Sequence, residues 1–228
     1  MTDRLDQLVE AATPLLARVD TVLSTAGAPE GHPVWPELRR VRLLPGDAVR
    51  AVCDLRPEAI SAAVPHLRTE ARTYAALADA LPLTAAWSGE AADAYEQARR
   101  RTAQHLNGGP DSLSRRMEAT ADYADALTAW MTRARTDLAL ALTEALTSAE
   151  ALTLTAGNSH PPGTHSPAAY PPDAHSPDAH SSGTHSPDQQ ARAAADVSAL
   201  LLRTIADAYD QGEALLDDSA PLQNPLLV

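Results

Sequence analysis

Met117, Ala124, Met131, Leu138, Ala145 and Leu152 recur at intervals of seven, and Leu113, Leu127, Ala134 and Ala141 form a second stripe of the same period beside them. Seven residues make two turns of an α-helix, whereas strands alternate with a period of two, so the repeat specifies helix. The spacing predicts one helix over 112–155, and an apolar face that long requires a long partner. Leu142 and Leu146 widen the face toward a bundle instead of a two-stranded coil. Only 4% of residues are aromatic and Phe is absent, while Ala and Leu dominate, which favours close-packed helices over a sheet. The expected fold is all-α: a helical hairpin extended into an antiparallel helix bundle, followed by a disordered Pro/His-rich linker and a C-terminal helix.

The remaining segments are punctuated by proline and glycine. Residues 2–25 place Leu5, Leu8, Val9, Ala12, Leu15, Leu16, Val19, Val22 and Leu23 on one helical face, which Pro14 should kink or divide by starting a second part, with Thr13 as the cap. Four Pro and three Gly between 27 and 46 mark a long connection with a short helical piece over 37–42. Pro45-Gly46-Asp47 starts the next helical stretch. Pro57 suits a first turn capped near Arg56, and Pro65 marks a kink or break before the run 66–81. A helix over 90–106 stops at Asn107-Gly108-Gly109-Pro110, with Asp111 or Ser112 capping the one that follows. The segment 157–188 changes character and divides into six five-residue units of the type Ala-His-Ser-Pro-Asp. It lacks the residues of a core and reads as an extended linker. Helical spacing resumes over 189–218, in a helix too short to fold alone, which must dock on the bundle of 1–156 or bind another chain; 219–228 is a tail.

Charge and composition narrow the function. The net charge of −12 argues against nucleic-acid and anionic-membrane binding, which need a basic face. All 18 basic residues are Arg, and the runs at Arg39, Arg40 and Arg42 and at Arg99, Arg100 and Arg101 lie among acids as solvated faces. The most apolar stretch, 138–156, contains Glu144 and Glu150, so no membrane span is expected. The first thirty residues carry no signal for general secretion, which predicts a protein that is cytoplasmic as synthesised. Cys53, the single cysteine, excludes an intrachain disulfide and a Cys-based zinc site.

No reaction is indicated. His160, His165, His175, His180 and His185 recur every five residues with Tyr170 in the vacant place, but a repeat without fixed geometry does not preorganise a metal site. The chain has no Gly-x-Ser-x-Gly, no phosphate loop ending in Lys and no His-Glu-x-x-His, and His32, His66 and His105 are isolated. Neither catalytic, metal-binding nor cofactor-binding residues are assigned, and a non-enzymatic protein is expected.

Trp87-Ser88-Gly89 joins two amphipathic helical stretches. Ser88 can cap the second, whose Glu90 and Asp93 suit its positive N-terminal end, and Gly89 admits backbone conformations closed to other residues. This helix, Trp-x-Gly, helix arrangement over about 57–155 resembles the WxG-motif family of helical-hairpin proteins associated with type VII secretion systems of Gram-positive bacteria. The Ala-rich, Lys-free composition is similar to that of actinobacterial proteins. In that family a Tyr-x-x-x-Asp/Glu element completes the export signal, and Tyr209 with Glu213 matches it. The resemblance implies export by that route and a protein partner: another helical hairpin, a secretion component, or a second copy of the chain. The chain departs from the family in its added N-terminal region, its Gly108-Gly109-Pro110 interruption and its linker. The alternative expectation is an intracellular helical scaffold or adaptor in which the Trp-x-Gly turn is structural only.

Overall fold

A computed structural model describes residues 4–83, 88–156 and 186–219; the linker expected over 157–188 falls almost wholly outside the described residues, as does nearly all of the tail. The described residues contain helices and no strand, so the chain is all-α. In order the helices are α1 (Arg4–Ala26), α2 (Val34–Val41), α3 (Pro45–Cys53), α4 (Pro57–Ser61), α5 (Val64–Asp79), α6 (Glu90–Asn107), α7 (Leu113–Thr147), α8 (Ala149–Ala156) and α9 (Pro187–Asp218).

They divide into two compact units: Met1–Asp54 with Ala134–Asp207, and Leu55–Arg133 with Ala208–Val228. The boundaries fall inside α7 and α9, so each of these helices contributes to both units. The first unit contains the large buried side chains. Leu5, Val19, Val34, Val49, Val52, Leu138, Leu142, Leu154, Leu201, Leu202 and Ile205 are each at most 2% exposed. Here α1 packs on α3 and on α8. Pro14 lies within α1, where it cannot donate to the preceding turn; Thr13 Oγ1 donates to the Val9 carbonyl at 2.8 Å beside it. The start of α3 is capped from a distance: Leu44 has no capping side chain, and the Asp20 carboxylate of α1 accepts the Gly46 N–H at 3.1 Å. A Cβ on Gly46 would stand 2.4 Å from Asp20 Oδ2, so any larger residue there displaces the capping carboxylate.

The C-terminal helix docks on the chain's own first unit. Ala194, Ala195, Leu201, Leu202 and Ile205 of α9 are buried, and four polar pairs flank them. Arg18 donates to Gln190 at 2.7 Å, His32 Nε2 meets Asp196 at 3.0 Å, Arg40 meets Asp207 at 3.3 Å, and Arg203 lies 3.8 Å from the buried Glu37. Glu37 also accepts from Arg40 at 2.7 Å. A capping box opens α9: Ser186 Oγ accepts the Gln189 N–H and Gln189 Oε1 accepts the Ser186 N–H.

The second unit is built on alanine. Val64, Ala121 and Ala124 form its cluster with Ile60 and Leu67 against them, and Arg68 of α5 bridges Asp122 and Asp125 of α7 at 3.2 and 2.7 Å. Helix α5 packs on α6 as a hairpin. Pro65 falls in the first turn of α5, so the break lies just before it, at 62–63.

The helix expected over 112–155 is broken at Ser148. Its Oγ donates to the Ala145 carbonyl at 2.8 Å and accepts the Ala151 N–H at 3.2 Å, ending α7 and capping α8. The heptad loses one residue of phase there: Leu138 and Ala145 are buried, but the next inward positions are Ala151 and Leu154, and Leu152 is 69% exposed.

Candidate functional site

Trp87 lies outside the described residues. Gly89 is the N-cap of α6, with φ 101° and ψ −176°, a backbone region that only glycine occupies without strain. Its carbonyl accepts from Ala92 and Asp93 at 2.9 and 3.1 Å. Ser88 therefore stands one residue outside the cap position expected of it, and no side chain caps this helix. No described residue comes within 4 Å of where a Cβ on Gly89 would be, and it is the positive φ that demands glycine. Glu90 and Asp93 do occupy the first turn of α6, where the helix end is positive. The Tyr95 hydroxyl donates to the Pro82 carbonyl at 3.0 Å and ties α6 to the end of α5 across the turn.

Helix α6 buries only Ala92 completely. Its exposed surface is held by Glu96, which accepts from Arg99 at 2.7 and 2.8 Å and from Arg100 at 2.9 Å. Those hydrogen bonds hold the Glu96 carboxyl at about 2, well below its ordinary value of 4.5.

Tyr209 and Glu213 sit in the last turns of α9, in the same unit as Gly89. Four residues apart, they share a helix face; Tyr209 is 37% exposed and Glu213 is exposed. Gly212, one turn on from Tyr209 and beside this face, abuts α7, where a Cβ would stand 2.8 Å from the Trp130 indole. The Trp130 N–H donates to the Ala208 carbonyl at 2.7 Å, which fixes the ring against the helix that carries the two residues.

Three residues that hold this framework are ones that sequence reasoning missed. Arg135 is 6% exposed and donates to the Cys53 carbonyl at 2.6 Å, the Val52 carbonyl at 3.4 Å and Asp6 at 3.0 Å, closing the C-terminal end of α3. The available signal was its place four residues after Met131 and seven before Leu142, on the apolar face itself. Trp130 and Asp20 are the others; for Asp20 no local pattern announces a cap 26 residues away.

Other chemistry is sparse. Among the described residues no three His, Cys, Asp or Glu are grouped to hold a metal ion, and the histidine series at 160–185 falls outside them. His32 is built into the frame, its Nδ1 accepting the Val34 N–H at 3.2 Å and starting α2 three residues before the position expected. His66 is exposed 3.9 Å from Glu70, and His105 lies in the last turn of α6. Cys53 is half-buried. No helix among the described residues is long and apolar enough to cross a membrane.

These features define a two-unit all-α protein in which a glycine of positive φ opens α6. Comparison with protein-family models, with curated proteins and with solved structures found no match.

Proposed function

We propose that this chain is a non-enzymatic helical interaction protein of the type VII secretion kind, exported or acting as the partner of an exported protein. Its composite recognition surface would consist of the Trp87-Gly89 turn and the Tyr209 and Glu213 pair. The observation that carries the reading is the exposure of Tyr209 and Glu213 on one face of a helix whose neighbouring side is held by Trp130. A tyrosine with an apolar ring and a polar tip, left partly open beside a carboxylate on a rigid helix, suits a protein partner.

A second reading has an observation of its own. The φ of Gly89 accounts for that glycine without any partner, as expected of a scaffold protein in which the turn is only structural. Export from the native host separates the two. Under the secretion reading the protein accumulates in the culture supernatant, and Trp87→Ala or Tyr209→Ala retains it in the cell while helix content by circular dichroism stays unchanged. Both variants exported as well as wild type, or a wild-type protein confined to the cell pellet that co-purifies with no exported helical protein from the native host, would sink it.

A further inference from the structure

A shallow cleft in the first unit is lined by Ala28, Glu30, His32, Trp35, Pro36 and Arg39, with Gly31 at its turn. The Trp35 N–H is already committed to the Pro29 carbonyl at 3.0 Å, so the ring, 37% exposed, offers its face and not its donor. A flat indole face beside a proline suits another proline ring, which packs without needing a hydrogen bond and loses little entropy because its φ is already fixed. Arg39 is exposed and makes no ion pair among the described residues, so the cleft has an unused cation next to its aromatic face, with Glu30 as an anion in the same lining. The cleft thus selects an extended chain that presents proline together with a carboxylate and a hydrogen-bond donor.

The chain contains that combination. Tyr170-Pro171-Pro172-Asp173 and His175-Ser176-Pro177-Asp178 each place a carboxylate directly after proline, and His175 supplies a ring N–H three residues before Asp178. Both ends of the segment that holds them, at Ala156 and Ser186, belong to the unit that carries the cleft. The wall of the cleft is itself tied to α9, since His32 pairs with Asp196. Asp196 lies nine residues into α9 from Pro187, or about 14 Å at the helical rise. The eight residues from Asp178 to Ser186 can span up to about 27 Å, enough to return to the cleft.

We propose that the Trp35 cleft is the docking site for the chain's own Pro-Asp units at 172–173 and 177–178. Proline packs on the Trp35 face, Asp173 or Asp178 pairs with Arg39, and the His175 N–H donates to Glu30. The histidine-proline repeat is then a ligand held in cis, and the cleft is where that ligand is read.

The test uses the full chain labelled with 5-fluorotryptophan, whose Trp35 fluorine resonance is assigned by Trp35→Phe. Replacing 157–185 by a Gly/Ser segment of equal length should shift that resonance, and a peptide of residues 168–187 added to the replaced chain should return it saturably. Arg39→Asp should abolish the return, and a peptide carrying Asp173→Arg and Asp178→Arg should restore it to the Arg39→Asp chain. Circular dichroism of each variant reports whether it is folded. A Trp35 resonance indifferent both to the replacement and to the peptide overturns the proposal. So does a wild-type resonance that moves with protein concentration, which would assign the contact to a second copy. Neither result bears on export, so this inference and the secretion reading fail separately.

Discussion

Gly89 and Gly109 stand at the two ends of the α6 region and place different demands on the residue there. Gly89 holds a φ of 101°, while a Cβ on either residue would meet no described residue within 4 Å. Gly89→Ala should therefore destabilise by about 1–3 kcal/mol through backbone strain alone. Gly109→Ala, with no positive φ to satisfy, should fall within about 0.5 kcal/mol of wild type. Urea unfolding of both variants checks the contrast, and equal losses would refute it. Asp20 gives a second prediction at this scale. Burial raises its carboxyl above the ordinary 3.8, assisted by the charge of Asp47 and opposed by the Gly46 N–H and Arg50. The folded chain thus holds this proton more tightly than the unfolded chain does. The favourable contribution is present at low pH and is lost as pH rises through the raised folded value. Asp20→Asn retains an oxygen for the Gly46 N–H without the charge. Its stability relative to wild type should rise as pH climbs from below the ordinary carboxylate value through the raised folded one and then level off, as measured by urea midpoints; a variant that falls behind as pH rises would disprove this.

Among the elements, the last turns of α9 carry the clearest packing constraint. A methyl group at Gly212 would press on an indole that its own N–H bond to Ala208 holds in place. Gly212→Ala should cost about 1–2 kcal/mol, the overpacking exceeding the gain in helix propensity. A calorimetric melting point at or above that of wild type would contradict it. The elements readable from sequence were those set by local patterns. The apolar spacing in α1 and α7 and the proline and glycine signals at Pro45, Pro57 and Gly108 all act within a turn or two of themselves. The break at Ser148 was not readable, because a serine inside a long repeat looks like any exposed helical residue. Its effect comes from the seats offered to Ala151 and Leu154 by the rest of the fold. At the candidate site the same division holds: the need for glycine at position 89 was visible, whereas the support from Trp130 depends on a tertiary contact, and the cap falls on Gly89 instead of Ser88 through the backbone conformation of Gly89.

For the whole molecule, α9 is the piece that closes the chain on itself. It brings Leu201, Leu202 and Ile205 into the core of the first unit and four polar pairs onto its margin, so its seat does not depend on the covalent connection that delivers it. With a protease site engineered between 157 and 185, the cut chain should remain one particle in gel filtration under native conditions and separate into two only in denaturant. Release of the 186–228 fragment without denaturant would show that the connection holds α9 in place.

A helix seated in this way behaves as a ligand delivered by its own chain, and the covalent connection adds a local concentration to contacts the helix already makes. Doubling the length of such a loop costs only about 0.6 kcal/mol. The five-residue units can therefore multiply or be lost by replication slippage with little penalty to folding. Selection on their number and wording would then act through whatever reads them, and copies beyond the reach of Trp35 would be free to drift.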